Sequence, residues 1–236
     1  MTTPKAFRFK QFSVQDNMCA MKVGTDAVIL GAWAHFDHAG EILDVGTGCG
    51  IIALMAAQKS HAHITALDID ENAIEQSKIN FSASPWPERF EAIHQPVQQY
   101  HSEKLFDVIV CNPPFFRNAL KAPNKQRSMA RHNDHLSFES LIVSVDRLMS
   151  KDGTFVFILP NEEAMEVITM AAAHQLYLKR CCKVIPRDGK VPNRIMAELS
   201  RNECCVVEEQ LLIRDSNNQY SAQYKALTDA FYLFLH

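Results

Sequence analysis

The chain reads as an α/β protein with a mainly parallel sheet and helices on both faces. Three observations predict this. Short strand-like runs alternate with helix-like stretches from Ile42 to about Ala173, the pattern of parallel strands joined by crossover helices. The run Phe106-Asp107-Val108-Ile109-Val110-Cys111 is rich in β-branched residues and uninterrupted by turn residues, as in a buried strand. The strand-like stretch Glu41 to Val45 enters a turn with alternating glycines, and the helix-like Ile51 to Ala57 follows at once.

Taken in order, residues 1–40 are expected to form an amino-terminal helical lid, residues 41–213 the core, and residues 214–236 a closing helix, all within one domain. A chain of 236 residues can bury one sizeable core. After the glycine turn, His63 to Asp70 reads as the second strand and Glu71 to Phe81 as a helix. A third strand lies near Ala92-Ile93-His94, and Phe106 to Cys111 follows it. Thr154 to Pro160 is the next strand, and Asn161-Glu162-Glu163 opens a helix with a good cap. Leu176 to Pro186, Arg194 to Ser200 and Cys204 to Ile213 read as later strands. Tyr220 to Leu235 places Tyr224, Leu227, Phe231 and Leu235 on one helical face, a stripe suited to core packing.

Asn112-Pro113-Pro114-Phe115 stands directly behind the Phe106 to Cys111 strand. Proline removes a backbone donor, fixes φ and pushes the preceding residue out of the helical region, so the strand stops abruptly. An amide, two carbonyls and an aromatic ring are thereby held at the carboxyl end of a strand, where open α/β sheets bind ligands. Those groups suit a planar amino group, with acceptors for its N–H bonds and a ring to stack on. Alone, the motif could equally be a simple strand terminator.

Its partner is upstream. Asp44, Gly46, Gly48 and Gly50 are spaced Asp-x-Gly-x-Gly-x-Gly, unlike the G-x-G-x-x-G of dinucleotide sites. The glycines allow a tight turn and close approach of a ligand. A carboxylate at Asp44 can meet a cationic amino-acid group, whereas beside a pyrophosphate it would repel. Asp68, at the end of the second strand, can accept both hydroxyls of a ribose. Asp70, just before Glu71-Asn72-Ala73, suits the role of helix N-cap. Ile69 between them is placed to pack on an adenine ring.

Composition narrows the classes. No apolar stretch approaches the ~20 residues needed to span a bilayer, and the start lacks the apolar segment of a signal peptide. The seven cysteines form no C-x-x-C, and the ten histidines no H-E-x-x-H, so no metal site is expected. Free buried thiols in a reducing cytoplasm are the expected state. The net charge of −3 argues against a uniformly basic nucleic-acid binder, but not against a local patch. Arg117, Lys121, Lys125, Arg127 and Arg131 fall between Phe115 and Asn133 with no acid among them. A long loop of this kind beside the Asn-Pro-Pro-Phe motif suits phosphate contact, with Arg131-His132 holding a flanking phosphate. A merely solvated charged loop is the alternative. Smaller basic groups occur at Lys5-Arg8-Lys10 and Arg187-Lys190-Arg194.

In this order, Asp44-Val-Gly-Thr-Gly-Cys-Gly50, Asp68 and Asn112-Pro-Pro-Phe115 resemble the amino-methylating group of class I S-adenosylmethionine-dependent methyltransferases. The segments Phe9-Lys10-Gln11-Phe12 and Met21 to Trp33 narrow the resemblance to the bacterial tRNA1(Val) adenine-37 N6-methyltransferase family, from about Phe7 to about Leu199. The resemblance implies a Rossmann-like fold with a mainly parallel seven-stranded sheet whose last strand is antiparallel. It implies a cytoplasmic enzyme with S-adenosyl-L-methionine as cofactor, tRNA as substrate and no obligate protein partner. Cofactor contacts would come from Lys22, Gly24, Thr25, Asp44, Gly46, Gly48, Gly50, Asp68, Ile69 and Asn112. Catalysis would rest on Asn112, Pro113, Pro114 and Phe115. One position departs from the family's pattern. An acid after the third strand usually takes the cofactor's adenine amino group, and here the chain reads Gln95-Pro96-Val97-Gln98. Gln95 or backbone makes that contact, or it is missing and cofactor binding is weaker.

The expected reaction is N6-methylation of adenosine 37 in tRNA1(Val). Other planar NH2 targets remain open: a guanine N2 of rRNA, an adenine of DNA, or a protein glutamine. The basic loop favours nucleic acid over protein, and the lack of a large inserted recognition domain weighs against sequence-specific DNA. A non-catalytic RNA-binding module is the reading from another class, and the intact motifs weigh against it.

Overall fold

The computed structural model describes residues 6–113 and 136–233. The first half of the chain forms β1 (Phe7–Arg8), β2 (Ser13–Val14), α1 (Thr25–Trp33), β3 (Glu41–Val45), α2 (Ile51–Lys59), β4 (His63–Asp68), α3 (Glu71–Ser82), β5 (Phe90–His94) and β6 (Phe106–Cys111). The second half forms α4 (Phe138–Leu148), β7 (Met149–Leu159), α5 (Asn161–Ala173), β8 (Tyr177–Ile185), β9 (Arg194–Ser200), β10 (Val207–Leu212) and α6 (Ala222–Thr228).

Strands β3 to β10 build one sheet in the order β10-β8-β9-β7-β6-β3-β4-β5. All its pairings are parallel except those of β9, which runs antiparallel to both β7 and β8. The parallel sheet, the helices on both faces and the late antiparallel strand are as expected. The seven strands implied by the resemblance are exceeded: among the described residues the sheet has eight, because β10 adds to the edge beside β8, and β9 is therefore not last in chain order. A buried ionic cluster holds the extra strand. Arg180 of β8 donates to Glu198 of β9 at 2.9 Å and to Glu209 of β10 at 3.2 Å, and its guanidinium lies 4.1 Å from the Trp33 ring centroid. Trp33 Nε1 donates to the same Glu209 oxygen at 2.6 Å, tying α1 to the edge strand. Burial would raise the Glu198 carboxyl, but Lys179 and Arg180 outweigh it and hold the group below the usual carboxylate range.

Strand side chains alternate between two cores. Ile42, Ile64, Val108, Val110, Val156 and Ile158 face α1 and α2, whereas Leu43, Val45, Ile109, Cys111, Phe155 and Phe157 face α4 and α5. Burial on both faces is why β6 reads as an almost continuous apolar run. Seven consecutive residues of α1, Ala27 to Trp33, are buried. Lys59 donates to Ala32 O at 2.7 Å and to the Ala34 carbonyl, closing the end of α1. Burial lowers its pKa to about 8.

Helix starts follow their caps. Asp70 accepts from Asn72 N at 2.9 Å, as expected, and Ser137 and Ser221 do the same for α4 and α6. Asn161 does not cap α5. Pro160 occupies the cap position, and Asn161 already lies inside the helix with its amide donating to Pro192 O at 2.7 Å. The closing helix is shorter than expected, Ala222–Thr228, with Tyr224 and Phe231 buried and Leu235 outside the described residues. The amino-terminal segment is only partly helical: β1 and β2 form a small hairpin before α1. The hairpin region meets the carboxy-terminal segment through a Phe9–Tyr232 bridge and a Lys10 N to Phe231 O bond of 2.7 Å. All seven cysteines are free. Five are buried, but Cys204 and Cys205 are exposed because they precede the edge strand β10.

Candidate active site

Register brings the sequence motifs together. Val45 of β3 pairs with Cys111 of β6 on one side and with Leu67 of β4 on the other. One residue beyond that row come Asn112, Gly46 and Asp68, on three adjacent parallel strands at the carboxyl edge of the sheet. Neighbouring strands lie ~4.8 Å apart, so the three positions span about 10 Å.

The glycine turn is built for close approach. Gly46, Gly48 and Gly50 have φ of 72°, 56° and 81°, a region costly for residues with a Cβ. A Cβ at Gly46 or Gly48 would meet nothing within 4 Å, so the turn borders open space. Gly50 faces the other way, and a Cβ there would lie 2.5 Å from Phe81 of α3. Gly46 N and Thr47 N donate to Leu67 O at 2.8 and 2.9 Å, and Gly48 N donates to Asp68 Oδ2 at 2.8 Å. Asp68 Oδ1 accepts from Asp70 N at 3.0 Å. The acid at the end of β4 thus shapes the turn at the end of β3. Ile69 beside it is 54% exposed, a large apolar side chain open to a planar ligand.

Asp44 is fully buried. Its Oδ2 accepts from Thr47 Oγ1 at 2.7 Å, while Oδ1 has no hydrogen-bond partner. Burial pushes its pKa up to about 7, opposed chiefly by the bond from Thr47. On β6, Asn112 Oδ1 is likewise buried and unpartnered, and Pro113 is buried. Orphaned buried acceptors of this kind are costly in a folded protein and call for a donor, from water or from a ligand. The open space at Gly46 and Gly48, the orphaned Asp44 oxygen and the exposed Ile69 fit an aminoacyl-nucleoside cofactor.

Other expected contacts have different surroundings. Lys22 Nζ donates to Asp16 O at 2.6 Å and Cys19 O at 3.3 Å, so it shapes residues 16–23. Gly24 and Thr25 start α1, whose Asp26 accepts from Arg194 Nε at 3.0 Å; that bond brings the helix start to the carboxyl edge. After β5, Gln95 N donates to Asp68 O at 3.0 Å and the Gln95 amide nitrogen to Gln99 O at 3.0 Å. The Pro96 carbonyl accepts from Gln99 N and Tyr100 N, so the proline opens a turn where the family pattern places an acid. Pro114, Phe115, Arg117, Lys121, Lys125, Arg127, Arg131 and His132 lie outside the described residues.

Two contributors escaped the sequence reading. Thr47 orients Asp44, and its place inside the glycine turn was the available signal. Asn80, deep in α3, donates to both Gln15 O and Cys49 O at 2.8 Å and accepts from Gln15 N at 2.9 Å. It clamps the amino-terminal segment against the glycine turn. Nothing local distinguishes it from a surface asparagine.

Known proteins share these features. The Methyltransferase small domain family matches residues 20–161. A tRNA1(Val) (adenine(37)-N6)-methyltransferase of Bacteroides thetaiotaomicron is 47% identical over 231 residues, covering 97% of this chain and 98% of that protein. A protein of the same name from Pseudoalteromonas translucida is 43% identical over 228 residues, covering 96% of this chain and 98% of that protein. In solved structures, a predicted O-methyltransferase of Agrobacterium tumefaciens superposes with a TM-score of 0.67 at 16% identity, covering 87% of this chain and 96% of that one. The N-methyltransferase NodS of Bradyrhizobium japonicum, in complex with S-adenosyl-L-homocysteine, gives a TM-score of 0.52 at 14% identity, covering 70% of this chain and 79% of that one. At such identities the structural likeness speaks for the fold.

Proposed function

The chain belongs to the tRNA1(Val) (adenine(37)-N6)-methyltransferase family within the Methyltransferase small domain proteins, and we propose that it methylates N6 of adenosine 37 in that tRNA. S-adenosyl-L-methionine is the methyl donor and supplies an electrophilic methyl group on a sulfonium. The observation that carries the reading is the row of Asn112, Gly46 and Asp68 on adjacent strands, with an unpartnered buried Asn112 oxygen at its end.

Residues of this chain divide the work along that row. Asp68 holds the ribose hydroxyls with the acceptor capacity left after its two backbone bonds. Ile69 packs on the adenine, and the Gln95 amide oxygen accepts from its amino group. Asp44 faces the ammonium of the cofactor's amino-acid end, and the backbone at Gly46 and Gly48 lets that end come close. Residues 15–24, fastened by Asn80, cover it as a lid.

The exocyclic amine of adenine is a poor nucleophile, because its lone pair is delocalised into the ring. Asn112 Oδ1 and the Pro113 carbonyl accept its two N–H bonds and favour the pyramidal form with a localised lone pair. They also stabilise the positive charge growing on nitrogen, an oxyanion hole with the signs reversed. Alignment of amine and methyl does the rest, since in-line displacement depends on positioning. The methylated nitrogen is acidic and loses its proton to water. Phe115 is assigned to stack on the base. An anticodon-loop base is already partly unstacked, so turning it out costs little. Arg117, Lys121, Lys125, Arg127, Arg131 and His132 supply phosphate contacts. The site of action is the cytoplasm; no helix among the described residues is long and apolar enough to cross a membrane.

The deciding experiment is nucleoside mass spectrometry of tRNA1(Val) from a strain lacking the gene, with and without complementation. N6-methyladenosine is expected to vanish and return. Unchanged N6-methyladenosine would refute the substrate, and methyl transfer to rRNA, DNA or protein glutamine would redirect it.

A further inference from the structure

Residues 186–193 join β8 to β9 and project from the same carboxyl edge as the candidate active site. Their position follows from register: Ile195 at the start of β9 pairs with Leu159 at the end of β7, and β7 pairs with β6 up to Cys111. The loop's far end, at the start of β9, lies two strands from Asn112, about 10 Å along the edge, and its start after β8 lies one strand further.

This loop is braced from several sides. Gly189 turns the chain at φ 74°, Lys190 N donates to Arg187 O at 3.0 Å, and Asn193 N donates to Val184 O at 3.0 Å. Asp188 N donates to Arg214 O at 2.8 Å beyond β10, and Arg187 reaches Ser216 O at 3.4 Å. The α5 residue Asn161 holds Pro192 O at 2.7 Å, and Arg194 at the loop's far end binds Asp26 of α1. A loop fixed to three elements yet exposed from Arg187 to Val191 is a rigid projection. Its outermost apolar residue, Val191, is 79% exposed.

Its charges are available. Among the described residues neither Arg187 nor Lys190 has a carboxylate partner; the Arg187 guanidinium bonds only to a backbone carbonyl. Of the nearby acids, Asp26 is bound to Arg194, and Asp215 accepts from Asn217 N and Gln219 N. Asp188 lies in the loop itself, and Glu162 and Glu163 open α5 on the same edge, so attraction here comes from local contacts and not from a broad positive field.

We propose that the β8–β9 loop is a second RNA-contact element, with Arg187 and Lys190 on phosphates flanking the target nucleotide and Val191 against a ribose or base. The inference rests on the tRNA reading above and extends its footprint beyond the Arg117 to His132 segment. A macromolecule that offers an amine to Asn112 would sit on the edge from which this loop projects. A nucleotide strand presents a phosphate on each side of the turned-out base, which suits two cations flanking an apolar tip.

Steady-state kinetics and salt-dependent binding of tRNA1(Val) transcript test it, using Arg187→Glu/Lys190→Glu and the milder Arg187→Gln/Lys190→Gln. The charge reversal is expected to raise KM for tRNA about tenfold with kcat at saturating tRNA within about twofold, and both pairs to flatten the salt slope by about 1–2. Cofactor affinity and Tm, read by calorimetry, are expected to stay at wild-type values. Wild-type activity on tRNA with unchanged KM and salt slope in both variants would overturn the loop's role alone. A wild-type enzyme inactive on tRNA would overturn the substrate reading and the loop's role together.

Discussion

Asp68 Oδ2 accepts the backbone N–H of Gly48 at 2.8 Å, so one carboxylate both shapes the glycine turn and faces the space that turn borders. Asp68→Ala strips acceptors from Gly48 N and Asp70 N. A loss of about 1–3 kcal/mol in stability is expected, with cofactor affinity down at least about tenfold. Asp68→Asn keeps one carbonyl acceptor and should recover stability more than affinity. Calorimetry showing undiminished affinity in the alanine variant would move the ribose contact elsewhere.

Asp44 makes both stability and cofactor binding depend on pH. Its carboxyl is raised from 3.8 to about 7 in the folded protein, so the folded state holds the proton more tightly than the unfolded state. Stability should therefore fall as pH rises across that window, by about 4 kcal/mol at most once the group is ionised. Cofactor binding should run the other way, strengthening up to about eightfold from pH 6 to pH 7.5 as Asp44 gains the charge that meets an ammonium. Titration calorimetry across that range, repeated on Asp44→Asn, checks both signs; a slope that survives in the asparagine variant would assign it to another group.

Asn112→Ala removes the unpartnered buried acceptor and should lower kcat by about 10²–10³-fold, the usual effect of deleting one preorganised charge-stabilising group. Single-turnover methyl transfer to tRNA measures it. Rates near wild type would remove Asn112 from the amine site.

Gly50 is squeezed as well as left-handed. An added Cβ would lie 2.5 Å from Phe81 Cε1, and Phe81 is itself stacked on Phe90 at 4.2 Å. Gly50→Ala should destabilise the protein by about 2–4 kcal/mol. Adding Phe81→Leu should recover part of the loss in denaturant titrations. Full stability in the single variant would show that α3 yields easily.

Local chemistry was legible in the sequence, and long-range pairing was not. The strand ending at Cys111 and the cap at Asp70 each depend on neighbours a few residues away, and glycine spacing marks the turn from Asp44 to Gly50 even though Leu67 and Asp68 hold it from β4. The strand within Cys204 to Ile213 is readable in the sequence, but its place at the sheet edge depends on Glu209 meeting Arg180 and Trp33 across distant segments. In sequence those residues look like ordinary surface charges beside an apolar helix. Asn80 is hidden for the same reason, since its three bonds all reach other segments. Residue type alone suggests a cap at Asn161, but the helix starts one residue earlier, with Pro160 at the cap position and Asn161 already inside.

The Phe9–Tyr232 bridge and the ring contacts of Phe7 and Phe9 with Tyr232, at 5.8 and 5.6 Å, carry a consequence for synthesis on the ribosome. The early aromatic residues wait for a partner made more than two hundred positions later. Until that segment emerges, Phe7 and Phe9 lack the Tyr232 ring, so the nascent chain carries a sticky amino-terminal patch for most of its translation. Completion of the fold is therefore a late event, and holdase chaperones have a defined place to act.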